Sequence, residues 1–455
     1  MKGEFRHDFL WKALFTLRFG VLLLACLLPL SDPHTHRQTD TLGIAQRYYQ
    51  RWFQAPQPEG WKILAPAALN SAEGFGYVAT EAPLLNWLVA PAFFFGPYAG
   101  MAIAHLIWLL LVFGALLFAY KVWGLNRIEG IPVGWVALVF PLIGLGAIFT
   151  SKTIPDPLAA ILVFAAVGAS YARARPVLSF SLLAVGLLLK PTAVVGLGWI
   201  FLSPRWDWKR WTWIPWGIAV ALVYYLGIVP KLAAFQDSAF PFYVGLRPPW
   251  ESLFQFVTDA KGFAALWGRH YFTQVGVVLV LLAYAFGRGF LWRRTWPLWA
   301  LLTLQTLAVG ALDGRHAHQH LYYFMGLVPT VCFLFLQILN GVELPYWLRW
   351  MLLLVCLVNV SRLTLREWHD SEPSEVYRME FYDSCEKLKA RHPEFPWGQG
   401  KPFRSDYENY PTLGMCFGER SAARSGAYGF FRAENLPSDC KQTDREGGLV
   451  LATCP

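Results

Sequence analysis

Charge is scarce in this sequence: only 15% of its 455 residues are Asp, Glu, Lys or Arg, against about 25% in ordinary globular domains. Hydrophobic residues fill 55% of positions, more than a water-soluble core of this length can hide. The shortage excludes a soluble enzyme. Repeated apolar runs of spanning length put the chain in a membrane. Internal repeats of the transporter kind are missing, as are low-complexity linkers and any cysteine spacing of a zinc site. The cations stand singly between apolar segments and form no stripe, which argues against a nucleic-acid partner.

What charge there is divides unevenly. Residues 367–455 hold 11 basic and 15 acidic side chains, a net −4, leaving 28 and 15, a net +13, for residues 1–366. Basic cytoplasmic loops plus a separate polar domain produce such a split. The cysteines follow it. Cys26, Cys332 and Cys356 lie in apolar runs, where a thiol behaves as a small hydrophobe, whereas Cys385, Cys416, Cys440 and Cys454 fall in the tail. An even number in one polar segment predicts two disulfides and an oxidising compartment, with three connectivities open. The expected organisation is a membrane domain over 1–366 and a small disulfide-stapled extracytoplasmic domain over 367–455.

The expected fold is an all-α polytopic membrane protein with about eleven transmembrane helices. They are placed at 12–30, 98–120, 132–150, 157–172, 177–190, 191–203, 212–229, 271–287, 295–312, 321–340 and 350–366. Leu23-Leu24-Ala25-Cys26 resembles a lipoprotein processing site. Cleavage there would leave an apolar Leu27-Leu28-Pro29-Leu30 start, so the first span reads as uncleaved with its N-terminus inside. Every short cytoplasmic loop is then basic, and the cysteine-bearing tail lands outside. Segments 157–172 and 177–190 are short, and read either as two spans or as a re-entrant hairpin. Two outer loops are long, 31–97 and 230–270. In the first, residues 41–53 read as an amphipathic interfacial helix and Pro83–Phe95 as a second.

Under this topology His36, Arg37, Asp40, Glu81, Lys152, Asp156, Lys190, Arg315, His316, His318 and His320 all lie at or beyond the outer face. Ionisable groups there are functional candidates, because lipid-facing charge is costly. Carboxylates, cations and histidines on one face suit an anionic substrate and acid–base chemistry. Each residue also has an ordinary structural reading. Asp40 could be a helix N-cap, Glu81 a carboxylate at a helix dipole, Asp156 a turn former between two prolines. Lys190 could snorkel to headgroups. Tyr322 and Tyr323 could belong to an aromatic belt. His316 and His318 read as polar loop residues.

His36-Arg37-Gln38-Thr39-Asp40-Thr41, Gly76-Tyr77-Val78-Ala79-Thr80-Glu81-Ala82-Pro83-Leu84, Pro155-Asp156-Pro157-Leu158, Lys190-Pro191-Thr192 and His320-Leu321-Tyr322-Tyr323 follow one another in order. Together they resemble the GT-C superfamily, and within it bacterial transferases related to protein O-mannosyltransferases and lipid A aminoarabinose transferases. The resemblance covers about residues 10–340; the tail after 366 resembles no family. It implies a glycosyltransferase that takes a sugar from a polyprenyl-phosphate donor at the extracytoplasmic face of a bacterial inner membrane, with inversion. The acceptor is a glycan, lipid or protein hydroxyl. Asp40 matches the family's catalytic aspartate of the first outer loop, a general base. Glu81 matches the carboxylate before the proline–leucine pair, which could orient the acceptor, bind a divalent metal with His320, or fix the neighbours of Asp40. Asp156 would support it. Lys190, Arg315 and His320 would meet the charge of the departing phosphate. His36, Arg37, Tyr322 and Tyr323 would line the acceptor side. A transporter of lipid-linked sugars is the rival reading. It calls for midplane ionisable residues and repeated broken helices, which the sequence does not display.

Overall fold

The structure, a computed structural model, describes residues 2–25, 35–49, 52–53, 65–66, 77–78, 82–124, 126–172, 176–202, 211–230, 248–272, 290–314, 316–341, 379–395, 404–405 and 428–454, with isolated positions inside 277–284 and 351–361. It is mostly helical. In chain order come α1 (Lys2–Ala25), α2 (Thr35–Tyr49), the two-residue strands β1 (Ala65–Pro66) and β2 (Tyr77–Val78), α3 (Leu84–Val89) with a 3₁₀ continuation Ala90–Phe95, and α4 (Pro97–Trp123). The hairpin β3 (Arg127–Ile128) and β4 (Ile131–Pro132) precedes α5 (Trp135–Val139), α6 (Gly144–Phe149), α7 (Pro155–Tyr171) and α8 (Pro176–Leu189). A 3₁₀ segment Pro191–Leu202 leads to α9 (Trp213–Leu222), α10 (Pro249–Thr258) and α11 (Ala260–Ala265). Then come α12 (Phe290–Asp313), α13 (His316–Gln319), a 3₁₀ segment Leu321–Leu327 and α14 (Val328–Gly341). The tail contributes α15 (Met379–Arg391), β5 (Arg404–Ser405), β6 (Tyr428–Arg432), β7 (Lys441–Glu446) and β8 (Leu449–Thr453).

Among the described residues three helices are long and apolar enough to cross a membrane: Ala99–Trp123, Trp292–Leu312 and Leu321–Gly341. Shorter apolar helices accompany them, and the protein is a multi-pass membrane protein. The chain divides into two compact units. One comprises Met1–Leu24, Leu109–Val223 and Tyr243–Thr364; the other comprises Ala25–Trp108, Tyr224–Phe242 and Leu365–Pro455.

In the first unit the packing is that of membrane helices, where small residues let backbones approach and contact area does the work of the missing hydrophobic effect. Gly168 of α7 lies under Trp123, whose indole Nε1 would stand 2.7 Å from any Cβ there. Gly186 of α8 meets the Ala159 carbonyl, and Gly196 meets that of Gly326. Trp123 stacks on Phe164 at 5.1 Å and donates its indole N–H to the Phe164 carbonyl at 3.1 Å. Phe15 and Phe19 of α1 both pack on Phe113 of α4 at 4.9 Å.

One departure from the expected run matters. The apolar stretch 132–150 reads as one span, yet it is broken into α5 and α6 by Pro141 and by Gly144 at φ 52°. A side chain at Gly144 would collide with the Tyr271 carbonyl. Trp135, Val136 and the residues through Phe149 are buried almost throughout, the protein cover that an interrupted helix in a membrane requires. Arg18 of α1 is wholly buried, and its guanidinium donates to the Ala147 carbonyl of α6 at 2.9 Å.

At one end of this unit Asp8 of α1 accepts from Tyr120 of α4 at 2.8 Å and from Trp135 at 3.1 Å. The β3–β4 turn, Glu129 at φ 51° and Gly130 at φ 80°, has the two left-handed residues of a tight hairpin. Glu129 pairs with Arg294 at 3.6 Å.

In the tail the strand order is β5-β6-β8-β7, with β5 parallel to β6 and the other pairs antiparallel. Phe431, Cys440, Val450, Ala452 and Cys454 form its core. A disulfide joins Cys440 to Cys454. Cys385 on α15 is also disulfide-bonded. Cys416, the fourth tail cysteine, lies outside the described residues.

Candidate functional site

Helices α7 and α8 are an antiparallel pair, held near their connection by a hydrogen bond from Ser170 to Ser179 at 3.1 Å. The first residue of one and the last of the other therefore fall at the same end. Asp156 occupies the first turn of α7, between Pro155 at the start of the helix and Pro157. Proline is preformed for that turn and the positive end of the helix dipole favours a carboxylate. Lys190 closes α8, its N–H donating to the Gly186 carbonyl at 3.0 Å, and Pro191 ends the α-helix there. The two charged groups meet: Lys190 Nζ stands 3.7 Å from Asp156 Oδ1, with side chains 8% and 1% exposed. The separation exceeds a hydrogen bond, so this contact is Coulombic.

The other wall comes from the chain after α13. His320 precedes the 3₁₀ segment and accepts the Tyr323 N–H on its carbonyl at 3.0 Å. Tyr322 and Tyr323 lie 4.8 Å apart by ring centroid, and the Lys190 ammonium sits 5.3 Å and 4.7 Å from the two rings. Both distances fall within cation–π range. Tyr322 Oη and His320 Nδ1 are 3.1 Å apart, and Phe149 meets the Tyr322 ring edge-on at 6.3 Å. The arrangement is a buried cation presented by one carboxylate and two π faces, with an imidazole and a phenol at hydrogen-bond distance from each other beside it. Such a cation stabilises negative charge more strongly than it would in water.

Asp156, Lys190, His320, Tyr322 and Tyr323 are thus brought together. Glu81 and Arg315 lie outside the described residues. His36, Arg37 and Asp40 belong to α2 in the second unit, and their side chains are outside the described set. The helix begins at Thr35, so Asp40 stands more than a turn inside it and not at its N-cap. The neighbouring Thr41 carbonyl accepts from Asn86 Nδ2 of α3 at 2.8 Å, and Tyr48 packs on Trp87 at 6.1 Å. This pairing joins the two helices expected in the first outer loop. Among the described residues no group of three metal-ligating side chains gathers.

Sequence reasoning assigned the two tyrosines to the acceptor side or a belt, and did not foresee them as the seat of Lys190. It listed Lys152 among the outer-face candidates without giving it a role. That residue is buried in the turn between α6 and α7, with its N–H on the Phe149 carbonyl at 3.0 Å.

This fold has counterparts among solved structures. In particular, the chain is similar over 97% of its length, and 97% of theirs, to two crystal structures of ArnT from Cupriavidus metallidurans. The one bound to undecaprenyl phosphate matches with TM-score 0.57 at 11% identity; the apo structure matches with TM-score 0.52 at 10% identity. At such identities the likeness is one of fold. No protein-family model matches the chain, and no curated protein sequence matches it.

Proposed function

We propose that this protein is a membrane glycosyltransferase that moves a sugar from a polyprenyl-phosphate donor to an acceptor hydroxyl at the extracytoplasmic face, with inversion, in the building of the cell envelope. The observation that carries the reading is the buried Lys190, seated between Asp156, Tyr322 and Tyr323, in a chain with the fold of ArnT. One ArnT structure holds undecaprenyl phosphate, which supports a lipid phosphate as the donor's carrier here.

In the reaction the acceptor oxygen attacks the anomeric carbon while the bond from that carbon to the phosphate oxygen breaks. The acceptor proton passes to Asp40, and the phosphate leaves with the bonding pair. Lys190, Arg315 and His320 meet the charge that develops on the phosphate oxygens, where fixed donors contribute most. Asp156 is a positioning residue for Lys190. Glu81 sits ahead of α3, the helix that contacts the backbone beside Asp40, and orients the acceptor there. Glu81 and His320 are the residues that would hold a divalent ion.

The test is turnover of a radiolabelled polyprenyl-phosphate sugar by the reconstituted protein, with and without Asp40. Asp and Asn have similar propensities inside a helix, so Asp40→Asn should leave α2 intact. The same change removes a proton acceptor, whose contribution is typically 10²–10⁴-fold, about 3–5 kcal/mol of barrier. Transfer is expected to fall at least about a hundredfold while donor binding persists. Arg315→Ala should weaken binding as well as turnover, because the phosphate is present in ground and transition states alike. Near-normal transfer by Asp40→Asn would move the base to another carboxylate. Absence of transfer by the unaltered protein with every donor sugar would end the reading.

A further inference from the structure

Helix α10 (Pro249–Thr258) lies within the second long loop, and its surface divides into three stripes. At about 100° per residue, Trp250, Phe254 and Val257 share one stripe. They are 71%, 67% and 43% exposed. Ser252 and Phe256 form the buried stripe on the far side. Glu251 and Thr258 are exposed on a third stripe, with Gln255 half-buried beside them. A helix at the surface of a soluble domain shows two faces, one to the core and one polar to water. An additional apolar face at right angles to the polar one marks a helix that also borders lipid.

What the buried stripe packs against fixes where the helix lies. The Phe256 ring fills the space where a side chain on Gly310 would be, and the Ser252 backbone lies 3.3 Å from the corresponding point on Gly314. Both glycines stand at the end of α12, whose stretch Trp292–Leu312 is apolar and long enough to cross a membrane. Leu304 and Leu312 on that span are themselves exposed large apolar residues, as the lipid-facing side of a span must be. Helix α10 therefore packs against the last turns of a helix long and apolar enough to span, near where hydrocarbon gives way to headgroups. There an indole and a phenyl ring are favoured and Glu251 and Thr258 can reach water.

We propose that α10 is an interfacial helix, with Trp250, Phe254 and Val257 inserted into the lipid leaflet at the end of α12. The occupant of this apolar face is membrane lipid, continuous with the lipid surface of the span. The insertion has a partner inside the protein. The His318 ring stacks on Phe256 with centroids 4.2 Å apart and planes 8° from parallel, and its Nε2 lies 3.0 Å from the Phe256 carbonyl. A carbonyl only accepts, so that nitrogen carries the proton. His318 is two residues from His320 and four from Tyr322, in the chain segment that seats Lys190.

Cysteines placed singly along α10 of the full-length protein test this, after Cys26, Cys332 and Cys356 are replaced by alanine and the tail disulfides are kept. Trp250→Cys, Phe254→Cys, Val257→Cys, Glu251→Cys and Thr258→Cys each alter an exposed side chain, and monodisperse elution in detergent verifies that each variant folds. Each is labelled with a polarity-sensitive fluorophore in phosphatidylcholine–phosphatidylglycerol vesicles. Quenching is read from a nitroxide at a shallow acyl position and from aqueous iodide. Positions 250, 254 and 257 should be quenched several-fold more by the lipid nitroxide than 251 and 258, and iodide should show the reverse order. Equal access of iodide to both sets would overturn the proposal, leaving the stripe in water. Protection of 250, 254 and 257 from both quenchers would overturn it too, because protein, including a second copy of the chain, would then cover the face.

Discussion

Two ion clusters in this chain use the same side-chain types in opposite surroundings. Asp156 and Lys190 are buried among helices of the first unit, with one ion pair and two aromatic rings. In the tail, Arg391 pairs with Asp444 at 2.9 Å and with Glu446 at 2.9 Å, His392 with Asp444 and Glu394, and Lys387 with Glu446. The tail network contributes less, because Arg391 is 44% exposed and water screens its partners. What a charge contributes depends on what it faces once its partner is gone.

The sharpest way to break that contrast is Asp156→Ala. It leaves the Lys190 ammonium buried beside rings without its carboxylate, a change worth about 3–5 kcal/mol in comparable buried pairs. The onset of thermal aggregation in detergent should fall steeply, and Asp156→Asn combined with Lys190→Met should recover most of the loss. Strict additivity of the two substitutions would show that the pair is not coupled. Next in size is Cys440→Ser. The 14-residue separation of Cys440 and Cys454 implies a loop whose closure contributes about 3 kcal/mol. Hydrogen exchange should accelerate in β6 and β8 of the full chain and stay unchanged in α7 and α8.

Arg391→Ala sharpens the other side. Despite its two carboxylate partners it should cost less than about 1 kcal/mol, and less still in high salt, read as exchange of the α15 amides. The smallest effect is that of pH. The Glu394 carboxylate, above all, holds His392 above its ordinary 6.5, with burial opposing and Asp444 assisting. Burial works against Asp444, but the Arg445 N–H and His392 together hold it below its ordinary 3.8. A raised histidine stabilises below its unfolded value and loses that contribution as pH rises through the folded one. A lowered aspartate stabilises above its unfolded value and loses it as pH falls. Protection of α15 should therefore be greatest between about pH 4 and 6.5 and decline on either side.

Much of this was legible in the sequence, for reasons that can be named. Asp156 between prolines and Lys190 before Pro191 announce helix ends, and two helices with a short connection bring such ends together. The membrane class and the α2–α3 pair came from hydropathy and amphipathic spacing. Less legible was whatever depends on contact. The break at Pro141–Gly144 was hidden in 132–150 because a uniformly apolar run has no periodicity to interrupt. Asp40 looked like a cap because the polar residues from Thr35 do not resemble a helix start, yet the helix begins there. The tail sheet escaped because β7, Lys-Gln-Thr-Asp-Arg-Glu, carries no apolar alternation; its ladder with β8 holds it.

The break between α5 and α6 bears on how motion travels. Trp135, at the head of α5, meets Asp8, whereas Phe149, at the foot of α6, touches Tyr322 beside Lys190. Had these residues shared one rigid rod, any tilt at one end would swing the other through a proportionate arc. Cut at Pro141 and Gly144, one apolar segment instead supplies two short helices, each fixed by its own end contact.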